Sequence, residues 1–274
     1  MKRKVKFFDK DLFNNFLKLT TTISVFFSFF TVIVDVDANY KIIVGLVILV
    51  LLSFIYIFMW YRANITTHVS ISIENSTVEV KVGDIFNEDG LKVIGFNEYF
   101  DTIVDNEVIS ERSLNGIYIK NMVTDIHELD HLIEERLQDK TEGVNKKRKL
   151  GKLIKYKLGS IFKYKDEYLL TAFSKFDNDN RAYLFMNEYV NFLLNFWNEI
   201  DKVYAGKFVS IPLMGAGITR FKDYSNITEQ DLLEMLIWSF KISRIKFPHP
   251  SKVSIIIHDS IKDKINFYKL REVV

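Results

Sequence analysis

Residues 211–220 read Ile211-Pro212-Leu213-Met214-Gly215-Ala216-Gly217-Ile218-Thr219-Arg220. The run leading into it, Lys207–Pro212, has the composition of a buried strand, and two glycines follow directly. Without a Cβ they let the backbone turn sharply and approach a ligand closely. Successive N–H groups of such a loop make an anion-binding concavity. The stretch matches neither common phosphate motif. Arg220 stands where the dinucleotide fingerprint needs a third glycine, and the Gly-Lys-Ser/Thr of a P-loop is missing. By itself it also fits a tight strand-to-loop turn. Gly83-Asp84-Ile85 closes an earlier strand in a similar way. A carboxylate at a strand's end can accept a hydrogen bond from an adenine amino group, and it can equally be a turn-forming Asp.

Working outward, Val69–Glu74 and Thr77–Val82 alternate around Asn75-Ser76, which predicts a hairpin. A third strand is expected at Leu91–Phe96 and a helix at Val123–Leu137. Ser160–Tyr164 and Tyr168–Phe173 predict a second hairpin turning at Lys165-Asp166. A helix over Arg181–Tyr204 then precedes the strand Lys207–Pro212. A helix over Glu229–Lys246, opened by Thr228 with Asp231, leads to a strand at Val253–His258 and a last helix. Strands alternating with helices predict an α/β fold, a mixed sheet flanked by helices. Phe192, Phe196 and Trp197 are expected in the core. Residues 139–152 read as a charged surface loop. Within it Lys146-Lys147-Arg148-Lys149 reads as a solvated run, with anionic lipid or a neighbouring subunit as other contacts.

Of 274 residues 48% are hydrophobic and 15% aromatic, with 3 Pro and no Cys. This composition excludes a disordered chain, a disulfide framework, a thiol nucleophile and thiolate zinc sites. The net charge of +2 hides a split: residues 1–62 carry +4 and the remainder −2. A slightly acidic globular part is a poor general binder of nucleic acid.

Ile42–Tyr61 (IIVGLVILVLLSFIYIFMWY) is 20 residues without a charge. At ~1.5 Å per residue it reaches about 30 Å, the thickness of a bilayer's hydrocarbon. Trp60 and Tyr61 close it as an aromatic belt ahead of Arg62. Leu19–Val34 is a shorter uncharged segment, with Lys18 able to snorkel. Asp35–Asn39 turns the chain between them, so residues 1–62 read as a transmembrane helical hairpin. A cleaved signal peptide is the competing reading, weakened because no small-residue cleavage site follows Val34. Phe8, Leu12 and Phe16 fit either an amphipathic helix on the inner leaflet or the start of the first span. Basic residues crowd the N-terminus, which predicts a multi-pass inner-membrane protein with both termini in the cytoplasm. The sequons at Asn64, Asn75 and Asn226 are then accidental.

Gly83-Asp84-Ile85 early and Ile211–Ile218 late resemble the macro domain. With Leu170–Ala182 (LTAFSKFDNDNRA) and a long helix between, the chain resembles the macro-type Thoeris anti-phage effectors, in which that domain follows two transmembrane helices. The resemblance covers the whole chain, residues 1–62 as membrane hairpin and 66–274 as a cytoplasmic nucleotide-sensing domain. It implies binding of an ADP-ribose derivative, such as an amino-acid-linked or cyclic form, made from NAD by a TIR-domain partner. It further implies self-association, disruption of the lipid bilayer and death of the infected cell. Carried over by position, Asp84 with Ile85 takes the adenine. Gly215, Ala216, Gly217, Ile218 and Thr219 cradle the diphosphate through backbone N–H groups, and Arg220 adds charge or closes over the ligand. Asn97 faces the ribose, and Ser113 and Gly116 form part of the opposite wall. After the third strand the chain reads Gly95-Phe96-Asn97-Glu98-Tyr99-Phe100. The Asn-rich stretch and glycine run of hydrolytic macro domains are missing there, so the resemblance implies binding without hydrolysis and no resident cofactor. A membrane-bound ADP-ribosyl hydrolase or NAD-consuming enzyme is the alternative.

His127-Glu128-Leu129-Asp130-His131 matches H-E-x-x-H, which on a helix would place two imidazoles on one face for zinc. A membrane-anchored metalloprotease is therefore a further reading. Asp130 inside the motif, the lack of a third ligand at family spacing and the acidic surroundings weigh against it. His249, between Pro248 and Pro250, reads as a loop residue.

Overall fold

A computed structural model describes residues 4–33, 37–73, 75–243 and 252–272. The expectations on Lys2, Arg3, Val34–Val36, Glu74, Arg244–Lys246 and His249 lie outside them. The chain divides into two units, Met1–Thr67 with Asn266–Tyr268, and His68–Ile265 with Lys269–Val274.

In the first unit, α1 (Lys10–Ile33) and α2 (Ala38–Ile65) form an antiparallel pair, with Phe13 and Phe16 of α1 against Tyr56 near the end of α2. Asp9 caps α1 through the N–H groups of Asp11 and Leu12. Leu12, expected either on a lipid leaflet or at a helix start, is buried with Val5, Tyr56 and Ala63 in a continuous helix. Asn64 is also buried. Its Oδ1 accepts from the N–H groups of Lys4 and Val5, so its sequon is not an accessible acceptor. Among the described residues one helix, Asn39–Ile65, is long and apolar enough to cross a membrane.

The second unit is built on a mixed sheet. Its strands are β1 (His68–Ile73), β2 (Ser76–Val82), β3 (Leu91–Asn97), β6 (Ile161–Tyr164), β7 (Tyr168–Phe176), β8 (Ala182–Leu184), β9 (Val209–Pro212), β10 (Arg220–Phe221) and β11 (Lys252–Ile257). The order is β1-β2-β11-β9-β3-β7-β8-β10, with β6 also on β7. The five central strands β2, β11, β9, β3 and β7 run parallel, so their carboxyl ends share one edge. β4 (Thr141–Val144) and β5 (Ile154–Tyr156) form a separate antiparallel pair.

Period-two alternation divides the side chains between two layers. Ile94 and Phe96 of β3 and Leu170 and Ala172 of β7 pack with Tyr118 and Ile119 of α3 (Leu114–Met122) and Leu129 and Ile133 of α4 (Ile126–Arg136). On the other face Phe173 meets Phe192 of α5 (Met186–Val203) edge-on, with ring centres 4.9 Å apart. Trp197 of α5 packs against Phe240 of α6 (Glu229–Ser243) and donates to Ser239 Oγ at 2.9 Å. Phe192, Phe196 and Trp197 are fully buried, as their spacing predicts. Each such side chain contributes about 1.5–3 kcal/mol through burial.

Four expectations need correction. The helix expected from Arg181 begins at Met186, because Ala182–Leu184 pairs with both β7 and β10. Only then does the Glu188 carboxylate accept from the Phe185 N–H and open the helix. The helix expected over Val123–Leu137 starts at Ile126, where Asp125 accepts from the Glu128 N–H. The last expected helix is replaced by 3-10 turns at Asp259–Lys264 and Lys269–Glu272. Its buried apolar residues Ile265, Phe267 and Leu270 do not follow a helical period. Residues 139–152 are not simply a solvated loop: Thr141–Val144 is a strand and Arg148 is fully buried.

Glu79 of β2 anchors one side of the sheet. It meets His68 of β1 and Lys252 of β11, each at 2.7 Å. Burial acts to raise its pKa. The hydrogen bonds of Lys252 and His68 and the charges of Lys252 and Lys81 outweigh it and hold the carboxyl down at about 2. A folded-state pKa below the ordinary 4.5 stabilises the fold above that pH, and the contribution is lost as pH falls toward about 2. Glu79→Gln is therefore expected to flatten the acid limb of a stability-against-pH profile over that window. An unchanged limb would show that other carboxylates set it.

Candidate functional site

The carboxyl ends of the parallel strands border a cavity of about 510 Å³. Such crevices are where open α/β sheets receive ligands. The strand order arranges its wall. Gly83–Ile85 follow β2, His258 and Ser260 follow β11, and Leu213–Thr219 follow β9. Asn97 ends β3, Phe176 ends β7 and Asn180 follows it. At ~4.8 Å between strands, the span from β2 to β7 is roughly 19 Å, enough for an extended dinucleotide-sized molecule. The loop Asn106–Ser113 and the first turn of α3 complete the wall.

Gly215 has φ +89°, and a Cβ there would stand 3.1 Å from Phe221 Cζ and 3.3 Å from Leu232 Cδ1. Only glycine suits that position. The buried Tyr189 hydroxyl donates to the Met214 carbonyl at 3.1 Å and fixes the start of the loop, and burial pushes that phenol's pKa up. Ala216 N–H closes on Leu213 O. Among the described residues the N–H groups of Gly215, Gly217 and Ile218 have no acceptor in the protein. Neighbouring unpaired backbone donors in a cavity wall are the ingredients of an anion site.

Nine of the eleven residues singled out in the sequence line this one cavity: Asp84, Ile85, Asn97, Ser113, Gly215, Ala216, Gly217, Ile218 and Thr219. Asp84 is exposed at the rim, with Oδ1 accepting from Phe86 N–H at 3.0 Å. Ser113 lines the wall as the cap of α3, its Oγ accepting from Gly116 N–H. Gly116 is not a wall residue. It lets the helix approach the preceding loop, since a Cβ would fall 2.2 Å from the Ser110 carbonyl oxygen. Arg220 is also displaced. Arg220 is exposed in β10 and, with the buried Phe221, lines a smaller cavity of about 220 Å³ that the glycine loop also borders. Asn97 reaches the cavity, but its carboxamide is engaged in a turn. Its Oδ1 accepts from the N–H groups of Tyr99 and Asp101, and its Nδ2 donates to Asp101 at 2.9 Å.

Asp101 leads to a feature that sequence reasoning missed. It pairs with Arg148 at 2.5 Å, and both side chains are fully buried. The Arg148 guanidinium lies 3.9 Å from the Tyr99 ring centre and donates to the Lys152 carbonyl. It also donates twice to Asn180 Oδ1, from Nε at 3.1 Å and from a terminal nitrogen at 2.7 Å. A left-handed φ of +58° at Asn180 turns the chain there. Arg148 thus reaches the cavity wall through Asn180. Beside it, Glu98 is almost wholly buried, joining Lys155 to the Phe176 N–H. Burial pushes the Glu98 carboxyl up against the pull of Lys155 and that N–H. Asn180 and Phe176 lie in the Leu170–Ala182 run quoted above, the one signal that could have indicated them.

The H-E-x-x-H stretch lies on α4. His127, Glu128 and His131 are exposed, and Asp130 is engaged by Thr102 Oγ at 2.9 Å and Lys152 Nζ at 2.5 Å. Among the described residues no group of three His, Asp or Glu side chains is placed to hold a metal ion.

A family model described as "Thoeris protein ThsA, Macro domain" matches residues 78–258, well over half of the chain. The chain belongs to the Thoeris ThsA family. A ThsA protein of Bacillus amyloliquefaciens (strain Y2) is 43% identical over 262 residues, covering 93% of this chain and 86% of that one. Among solved structures, the Oceanobacillus iheyensis macrodomain with ADP is 11% identical with a TM-score of 0.48, covering 75% of this chain and 94% of that chain. A point mutant of the same macrodomain is 12% identical at 0.49, covering 76% and 96%. The ThsA macro-domain match contains Asp84, the glycine loop, Arg148 and Asn180, and so spans most of the cavity wall.

Proposed function

We propose that this ThsA protein is a membrane-anchored effector of anti-phage defence that binds an ADP-ribose-derived signal without hydrolysing it. The observation that carries the reading is the glycine loop, in which residues with unpaired N–H groups line a cavity long enough for a dinucleotide. A diphosphate at that loop places an adenine toward Asp84, two strands away, and the second ribose toward β3 and β7. The engaged carboxamide of Asn97 favours binding over hydrolysis, because it has no free oxygen lone pair directed at a water. α2 supplies one membrane span and α1 the other arm of the hairpin, with both termini in the cytoplasm. The signal comes from a TIR-domain partner. Its binding favours an assembly-competent state, and the clustered hairpins disrupt the inner membrane and kill the cell.

Calorimetric titration of the full chain in detergent tests this, using ADP-ribose, NAD, cyclic ADP-ribose isomers and amino-acid-linked ADP-ribose, with size followed by light scattering. Tight binding of one ligand with growth in size and no turnover is expected. Turnover of labelled ligand would replace the binding reading with a hydrolytic one. Asp84→Asn keeps the Oδ1 that caps the Phe86 turn but presents an amide to the adenine amino group. It is expected to weaken binding by roughly tenfold or more, the equivalent of one lost hydrogen bond, with Tm unchanged. Full toxicity in a variant shown not to bind would sink the effector mechanism.

A further inference from the structure

Residues 145–153 close on themselves into an ordered loop. Asn145 N–H donates to the Leu153 carbonyl at 2.8 Å, and the Arg148 guanidinium donates to the Lys152 carbonyl at 2.7 Å. Gly151 has φ +88°, and a Cβ there would fall 2.6 Å from Asp101 Oδ1, so the turn requires glycine. The buried pair of Arg148 and Asp101 holds the inner side of the loop. Lys146, Lys147 and Lys149 around it are exposed, and among the described residues none of them is ion-paired. The neighbouring lysines are committed, Lys140 to Glu199 and Lys152 to Asp130. Asp139 lies 3.8 Å from Lys140, which leaves Glu142 against three lysines. Large aliphatic side chains stand among these charges: Val144 is 56% exposed, Leu150 47% and Leu153 40%.

We propose that this loop docks on an anionic bilayer surface, with its three lysines among the lipid phosphates and Val144, Leu150 and Leu153 at the acyl boundary. Exposed aliphatic side chains interleaved with uncommitted cations match both layers of such a surface. Acidic headgroups attract lysine, and the boundary beneath them takes up apolar side chains. Lysine stems lie along apolar surface while the ammonium stays at the phosphates. Nucleic acid, the other common polyanion, is met through aromatic stacking, and the exposed apolar residues of this loop are aliphatic. The loop is also fixed before it binds, because Arg148 and Gly151 set its shape, so docking orders little new chain. The assignment rests on the membrane-anchored reading above: a spanning helix keeps the loop at high effective concentration near the bilayer, where a few contacts suffice. It is independent of the nucleotide cavity, which none of these six residues lines.

The chain has no Cys, so Leu150→Cys takes up a single environment-sensitive dye at the tip of the loop. The full chain carrying it is reconstituted into vesicles of phosphatidylcholine alone and into vesicles of an equal mixture with phosphatidylglycerol. Blue-shifted emission and quenching by spin-labelled acyl chains are expected in the anionic vesicles only, both reversed by high salt. Lys146→Gln/Lys147→Gln/Lys149→Gln is expected to lower the ratio of docked to undocked loop by roughly 10²-fold, about fivefold per lysine. Its Tm is expected to be unchanged, because the three side chains are exposed. No quenching in anionic vesicles, equal quenching in both lipids, or quenching that survives in the triple variant would each overturn the assignment. A dye shift that follows protein density and not lipid charge would give the face to a second copy of the chain, and so overturn it too. Release of the full chain from the vesicles by alkaline washing would remove the anchored reading and this assignment together, whereas retention without quenching overturns this assignment alone.

Discussion

Arg148→Met is expected to lower the thermal midpoint of the second unit by roughly 6–20 °C. Breaking a buried ion pair by removing one partner typically costs about 3–5 kcal/mol. In a unit of this size each kcal/mol moves Tm by about 2–4 °C. The figure is large because the substitution strands Asp101, whose side chain is fully buried. The remaining donors to Asp101, Asn97 Nδ2 and the Lys152 N–H, carry no formal charge. Further contacts go with the guanidinium: the bond to the Lys152 carbonyl, the stacking on Tyr99 and both bonds to Asn180. Scanning calorimetry of the purified protein reads the effect directly. Arg148→Met/Asp101→Asn leaves no buried charge and is expected to recover part of the loss, and the cycle of single and double variants measures the coupling. A shift under about 2 °C in Arg148→Met, less than 1 kcal/mol for a unit of this size, would mean that water reaches Asp101 and that the pair is not an internal anchor.

That anchor was not legible in the sequence, and the reason is general. Arg148 stands among Lys146, Lys147 and Lys149, all exposed, and the run has the composition of a solvated segment. Nothing local distinguishes the one residue of the four that turns inward, because its partner Asp101 is 47 positions away. The glycine loop was legible because its chemistry is local. A buried strand, two glycines and the lack of side-chain bulk are all written in ten consecutive residues. Asn115 shows the same division. The helix that carries it, Leu114–Met122, is marked by no pattern read from the sequence, and its side-chain oxygen, buried and unpaired among the described residues, is a property of what surrounds it. Arg220 failed for a simpler reason. The chain turns after Thr219 into the two-residue strand Arg220–Phe221, both residues of which line the smaller cavity, and spacing alone did not reveal that strand. The strands themselves were placed within a few residues wherever alternation or a β-branched run marked them. The departures fell at α3, at the start of α4, within residues 139–152, at Ala182–Leu184 and at the C-terminus, and the short strands among them take their form from neighbouring strands and not from their own pattern.

Gly217→Glu is expected to abolish ligand binding while leaving the fold intact, and the contrast with Gly215 explains why. A Cβ at Gly217 would meet nothing within 4 Å, and the residue is exposed, so a larger side chain fits without strain. At Gly215 the positive φ and the close Phe221 ring make any substitution a test of loop folding as well as of binding. The carboxylate introduced by Gly217→Glu would stand among the unpaired N–H groups proposed to hold a diphosphate, competing for the donors and repelling the charge of that ligand. Like-charge juxtaposition at an interface costs several kcal/mol, which corresponds to a loss of about 10²–10³-fold or more in affinity. Gly217→Ala, with no charge and open space around it, is expected to bind nearly as well as the unsubstituted protein. Measured together, the pair separates charge from bulk: equal losses in both would place the anion elsewhere along the cavity, whereas loss in Gly217→Glu alone assigns it to the loop. The salt dependence adds a second readout, because repulsion between partly exposed charges weakens as ionic strength rises. Partial recovery of Gly217→Glu binding at high salt is therefore expected if charge is the cause, and no recovery would point to lost backbone donors instead.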